Sequence, residues 1–153
     1  MVLARVIAFL SAHAQRLDVG DFDAWMAPFE EGATYQIVSA ENLRLGMDMP
    51  LLLASSKNMI RDRILSLREA NIYNIHVDHH VLGLPVIEEE GGAVLKVHTP
   101  ILVHQIDQDG VATLFCVGRY DDELVDEGES FAIRRREVVF ENFGIRRLLA
   151  TPV

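Results

Sequence analysis

Leu95-Lys96-Val97-His98-Thr99-Pro100-Ile101-Leu102-Val103-His104 is the stretch that decides the fold. Leu95, Val97, Thr99, Ile101 and Val103 alternate with Lys96, His98, Pro100, Leu102 and His104. Successive side chains of an extended strand point to opposite faces, so this period of two predicts a long strand in a sheet with unlike faces. Outward from it, Glu88-Glu89-Glu90-Gly91-Gly92, Gln108-Asp109-Gly110 and Asp126-Glu127-Gly128-Glu129-Ser130 are turn signals. Between them, His79 to Leu84, Ala93 to Ile106, Thr113 to Leu124 and Phe131 to Phe140 read as strands. Consecutive strands joined by such short turns pair antiparallel.

Toward the N-terminus the period becomes helical. Val2, Ile7 (with Val6), Leu10, Ala14 and Leu17 recur at the spacing of one buried helix face. Asp21 caps a second, short helix over Phe22 to Met26, and Pro28 and Gly32 bracket its exit. Trp25 with Phe22 and Phe29 forms an aromatic set suited to core packing. Thr34 to Val38 is β-branched and aromatic and reads as a strand, followed by an irregular stretch from Ser39 to Pro50. Ser55 or Ser56 caps a third helix with Ile60, Ile64 and Leu67 on its buried stripe. Helices followed by an antiparallel meander define an α+β domain, residues 1–153, with helices covering one face of a curved sheet.

Composition narrows the function. A chain of 153 residues, 50% hydrophobic, can bury one core without staples. Its net charge of −9, from 23 acidic against 14 basic residues, argues against a nucleic-acid surface and an anionic membrane. The apolar opening from Val2 to Leu10 contains Arg5 and runs on with helical character, so it reads as a first helix. No apolar run approaches the roughly 18 residues of a membrane span. A single cysteine, Cys116, excludes an internal disulfide, and a reducing cytoplasm is the expected compartment.

Several segments carry a family resemblance. Ile60-Arg61-Asp62-Arg63-Ile64-Leu65-Ser66-Leu67-Arg68-Glu69-Ala70-Asn71-Ile72-Tyr73 joins an amphipathic helix to an unusual extended segment. With Asp78-His79-His80-Val81-Leu82-Gly83, Val117-Gly118-Arg119-Tyr120, Arg134-Arg135-Arg136-Glu137-Val138-Val139-Phe140 and Leu148-Leu149-Ala150-Thr151-Pro152-Val153, it resembles the small (beta) subunits of Rieske-type aromatic-ring hydroxylating dioxygenases. Within that family the likeness is to the small subunits of terephthalate dioxygenase and salicylate hydroxylase. The resemblance implies a cone-shaped, nuclear-transport-factor-2-like fold and a non-catalytic, structural role beside a catalytic alpha subunit. It also implies three alpha with three beta subunits, self-association as a beta trimer, and electrons delivered by a reductase and sometimes a ferredoxin. The Rieske [2Fe-2S] cluster and the mononuclear Fe(II) belong, by the same resemblance, to alpha. The residues agree on one point: a Rieske cluster takes two Cys and two His, and Cys116 stands alone.

The candidate site residues follow from these readings. Arg68, Tyr73, His79 and Arg136 are candidates for subunit contacts. His79 stands where the family often carries an Arg ahead of His, so no salt bridge from that Arg carries over. Arg134 and Arg136 are expected on one face of their strand, with Arg135 on the other. His76-Val77-Asp78-His79-His80 has the composition of a metal site, but adjacent histidines in a strand diverge, and no metal is assigned. A second reading stays open: a stand-alone isomerase or dehydratase of the same fold, with Asp18, Tyr35, His80 and His98 converging in the cone. There an Asp beside a His serves as general base and Tyr35 polarises a carbonyl.

Overall fold

The alternation at 95–104 is realised in a strand of 13 residues whose odd-numbered side chains are buried and whose even-numbered ones face outward. In the computed structural model, which describes residues 1–70, 76–90, 92–142 and 152–153, this strand is β5. The order is α1 (Val2–Asp18), α2 (Phe22–Met26), β1 (Phe29–Ser39), α3 (Ala40–Arg44), β2 (Leu52–Ala54), α4 (Lys57–Ala70), β3 (Val77–Leu82), β4 (Val86–Glu90), β5 (Val94–Ile106), β6 (Ala112–Asp126) and β7 (Phe131–Phe140). The sheet runs β2-β1-β7-β6-β5-β3, with β4 also on β5. β5 spans both neighbours on one side, pairing β3 through residues 101–106 and β4 through residues 95–98.

Where local pattern was the only guide, five details differ. The meander is antiparallel from β3 to β7, but β1 runs parallel to β7, with Tyr35 opposite Arg136 and Ile37 opposite Val138. A period-two pattern identifies a strand and not its distant neighbour. Within the stretch read as irregular lies α3, whose N-cap Ser39 Oγ accepts from the Asn42 N–H at 3.1 Å. β2 then pairs antiparallel with β1, and the run read as a turn at Glu88 to Glu90 belongs to β4. Finally, Ile133 lies opposite Leu124 while Arg135 lies opposite Glu123, which leaves Arg134 as the extra residue of a β-bulge. Arg134 and Arg135 are therefore both exposed and Arg136 points inward, which corrects the expected pairing of Arg134 with Arg136 on one face.

The helices fill the inner side of the sheet. Val6, Leu10, Ala14 and Leu17 give α1 its buried face, and Ile60 and Ile64 give α4 its own. Ser56 caps α4 by accepting from the Met59 N–H at 3.3 Å. Trp25 is fully buried, 5.0 Å from Phe29 and 5.6 Å from Tyr35 between ring centres, so the aromatic set is core. Across the sheet the register aligns Val97, Asp122, Arg136 and Tyr35 in one inner row, and Thr99, Tyr120, Val138 and Ile37 in the next. Among the described residues no helix is long and apolar enough to cross a membrane.

Candidate functional site

The inner row carries charge into the core. Arg136 donates from Nε and Nη2 to the two oxygens of Asp122, both at 2.8 Å, and the pair is almost wholly buried. Its guanidinium lies 4.1 Å from the centre of the Tyr120 ring, and Nη1 donates to His13 Nδ1 at 3.0 Å. His13 is thereby fixed as the tautomer that donates from Nε2, and that nitrogen sits 2.7 Å from the Trp25 carbonyl. Burial and the facing guanidinium hold the His13 pKa well below its usual value, so it stays neutral. For Arg136, burial opposes the charge, but Asp122 more than offsets it and the pKa is raised. Charge, hydrogen bonds and ring face thus satisfy one another, as a buried ion pair requires.

The four residues of the stand-alone enzyme reading do not converge. Asp18 and His80 do meet: the Asp18 carboxylate accepts from His80 Nδ1 at 2.6 Å and from the His80 backbone N–H at 3.1 Å. That contact ties the end of α1 to the free edge of β3 and covers an edge amide. His80 Nε2 has no hydrogen-bond partner among the described residues. Tyr35, in contrast, has its hydroxyl occupied: it donates to the Val153 oxygen at 3.0 Å and accepts from the Val153 N–H at 2.9 Å. Burial pushes the Tyr35 pKa up to about 12. His98 is on the opposite, outer face of β5, where its ring nitrogens meet Asp121 at 2.6 Å and Glu88 at 3.0 Å. Even-numbered positions of β5 cannot reach the inner side, which is why His98 is lost to such a pocket.

The candidate contact residues also separate. His79 is exposed, and Arg68 is half-exposed and pairs with Asp23 at 3.0 Å. Tyr73 lies outside the described residues. Arg136, 1% exposed, is committed to Asp122 inside its own chain, so the expectation that it pairs across subunits is corrected. His76 Nε2 lies 3.2 Å from Asp78, while His79 points outward, and among the described residues no group of three or more His, Cys, Asp or Glu is placed to hold a metal ion. His13 and Asp122 were missed by sequence reading. Asp122 shares the inward parity of Tyr120 and Leu124 in β6, a signal that could have found it.

What the surface offers instead is apolar. Leu43, Leu45, Met47, Met49, Leu51 and Leu53 are each 40 to 67% exposed along α3, the following loop and β2. A second patch lies on the outer face of the sheet, where Val81, Leu102 and Val117 form one row across β3, β5 and β6. Val77 and Leu114 extend it, and all five are 37 to 55% exposed. Large apolar side chains gathered in this way mark interaction surfaces, whereas single ones need no explanation.

Beside that patch the outer face is charged, and one contact gives a pH signature. Asp121 foremost, then Glu88, raises the His98 pKa. A raised folded-state pKa stabilises fully below the unfolded value of about 6.5 and ceases to do so as pH rises through the folded one. His98→Gln is therefore expected to lower Tm relative to the parent at about pH 6, with the difference closing by about pH 9. A gap that widened with pH would refute this role.

Comparison with known proteins places these features in a family. A family model described as "Ring hydroxylating beta subunit" matches residues 12–147. The terephthalate 1,2-dioxygenase terminal oxygenase component subunit beta 1 of Comamonas sp is 30% identical over 97% of both chains. The anthranilate 1,2-dioxygenase small subunit of Burkholderia cepacia is 30% identical over 90% of this chain and 85% of its own. A crystal structure of the beta subunit assigned to an aromatic-ring-hydroxylating dioxygenase of Novosphingobium aromaticivorans superposes with a TM-score of 0.90 at 27% identity, covering 99% of this chain and 97% of that one. The match spans the inner rows, the bulged strand and the outer patch alike, and the chain belongs to the ring hydroxylating beta subunit family, the small subunits of aromatic-ring dioxygenases.

Proposed function

We propose that this chain is the assembling, non-catalytic subunit of a multicomponent Rieske oxygenase that hydroxylates an aromatic carboxylate. The observation that carries the reading is the pair of exposed apolar surfaces on a domain whose buried ion pair, Arg136 with Asp122, is closed within its own chain. Such a surface suits a subunit whose contacts are permanent, since obligate interfaces resemble a core cut in half. The residues do not fit a Rieske cluster. Cys116 is the sole cysteine, buried, with its thiol pushed up to about 12, and thiolate is the ligating form. Both iron centres belong to a larger alpha chain, and no chemical step is assigned to residues here. Three alpha with three beta subunits is the proposed stoichiometry, with electrons entering through a reductase and, where present, a ferredoxin. The relatives named for anthranilate and terephthalate support the substrate class, because both compounds are benzene carboxylates.

The test is to co-express the tagged chain with the larger open reading frame beside its gene, then to measure the mass and iron content of what co-purifies. Equal numbers of this chain and an iron-containing larger chain are expected. Purification of this chain alone, without iron, would overturn the proposal.

A further inference from the structure

Four of the six histidines are engaged within the chain. His13 lies between Arg136 and the Trp25 carbonyl, His76 meets Asp78 and Gln105, His80 is held by Asp18, and His98 lies between Asp121 and Glu88. The remaining two are His79 and His104. His104 makes no hydrogen bond or ion pair among the described residues, and His79 has one long contact, 3.8 Å from its Nδ1 to the Asp18 carboxylate. These two face each other. β3 and β5 pair without a register shift from Val77 with Ile106 to Leu82 with Ile101, so His79 stands directly opposite His104 on the outer face.

Directly opposed residues of an antiparallel pair have Cβ atoms about 4.5–5.5 Å apart. An imidazole nitrogen binds zinc at about 2.0–2.1 Å, so two rings rising from such positions can lean together onto one ion. The strand ladder holds both donors, and no loop has to be ordered. The surroundings select the ion. Val77 and Ile106 flank the pair on one side, Val81 and Leu102 on the other, and Leu114 stands beyond His104. None of these rows holds a carboxylate, so the donors are nitrogen alone, which suits Cu2+ and Zn2+ and not the oxygen-seeking Mg2+ and Ca2+. Asp18 orients the first ring: with Nδ1 of His79 turned toward the carboxylate, Nε2 is the nitrogen presented to an ion.

We propose that His79 and His104 form a two-imidazole site for a divalent transition-metal ion, Cu2+ or Zn2+, with water in the remaining coordination positions. The bound ion clamps β3, an edge strand, to β5. The histidines next to His79 in the chain diverge from it, and its companion comes from the neighbouring strand instead. The inference goes beyond the beta-subunit reading and does not rest on it.

Isothermal titration of the full chain, carrying no histidine tag, with zinc chloride and separately with copper(II) chloride tests this. One ion per chain is expected, with Cu2+ binding more tightly than Zn2+ and excess Mg2+ failing to compete. His79→Gln and His104→Gln should each weaken binding at least about tenfold, the lower end of what even an outer contact to a metal ligand is worth. His98→Gln, which alters the histidine between two carboxylates, should leave the affinity unchanged. Since His104 makes no contact of its own, its replacement is expected to leave the fold intact. A Tm raised by Zn2+ in the parent but not in His104→Gln is therefore the second readout. The proposal is overturned if the parent binds neither ion, or if either outer-face variant keeps the parent's affinity. Loss of binding in His98→Gln also overturns it, because the ion then sits beside Asp121 and Glu88.

Discussion

Replacing Arg136 with methionine is expected to cost about 3–5 kcal/mol, enough to unfold many domains of this size, because it leaves Asp122 charged and unpaired in the core. Asp122 makes both of its charge-assisted bonds to this one guanidinium at 2.8 Å, and its side chain is fully buried. The same substitution removes the cation over the Tyr120 ring and leaves His13 Nδ1 without its donor. Urea unfolding of Arg136→Met should show a much lower midpoint. Adding Asp122→Leu to it should restore most of the loss, since apolar replacement of both partners of a buried pair is often neutral. A single variant within about 1 kcal/mol of the parent would mean that water reaches the pair.

The network explains what was legible in the sequence and what was not. The parity of β5 was legible because inner and outer positions differ in polarity over ten successive residues. The parity of β7 was not. A single bulge at Arg134 reverses the phase for Arg135 and Arg136, and three consecutive arginines give no clue to where it lies. Arg136 looked like a surface cation because arginine is rarely buried unless paired, and its partner lies 14 residues away on another strand. His13 sits within a helical stripe that was read through its apolar members alone. The parallel pairing of β1 with β7 depends on strands about 100 residues apart, and no local pattern encodes it.

The candidate site divides along the same line. Asp18 and His80, grouped as pocket chemistry, meet instead as a tie between the end of a helix and an edge strand. Tyr35 and His98 were grouped with them by chemistry, whereas their positions follow from strand parity and from the Val153 contact. The interaction surfaces escaped attention because exposed Val and Leu look like core residues in a sequence. Only the register shows that Val81, Leu102 and Val117 share the outer face of the sheet.

That register depends on a close approach of β6 to β7, and Gly118 makes the approach possible. It lies opposite Ile101 on one side and Phe140 on the other. A Cβ built at Gly118 would stand 2.0 Å from the Val139 oxygen and 3.0 Å from its carbonyl carbon. These are backbone atoms of a central strand, so no side-chain rotation relieves the overlap. Gly118→Ala must therefore part the strands or shift their register, and a loss of at least about 3 kcal/mol is expected, at or beyond the top of the usual range for overpacking. Gly32→Ala is the control, since nothing stands within 4 Å of the added carbon. It should remain within about 0.5 kcal/mol of the parent. The midpoints of urea unfolding decide between them, and equal effects at the two positions would show that β6 and β7 are not so closely apposed.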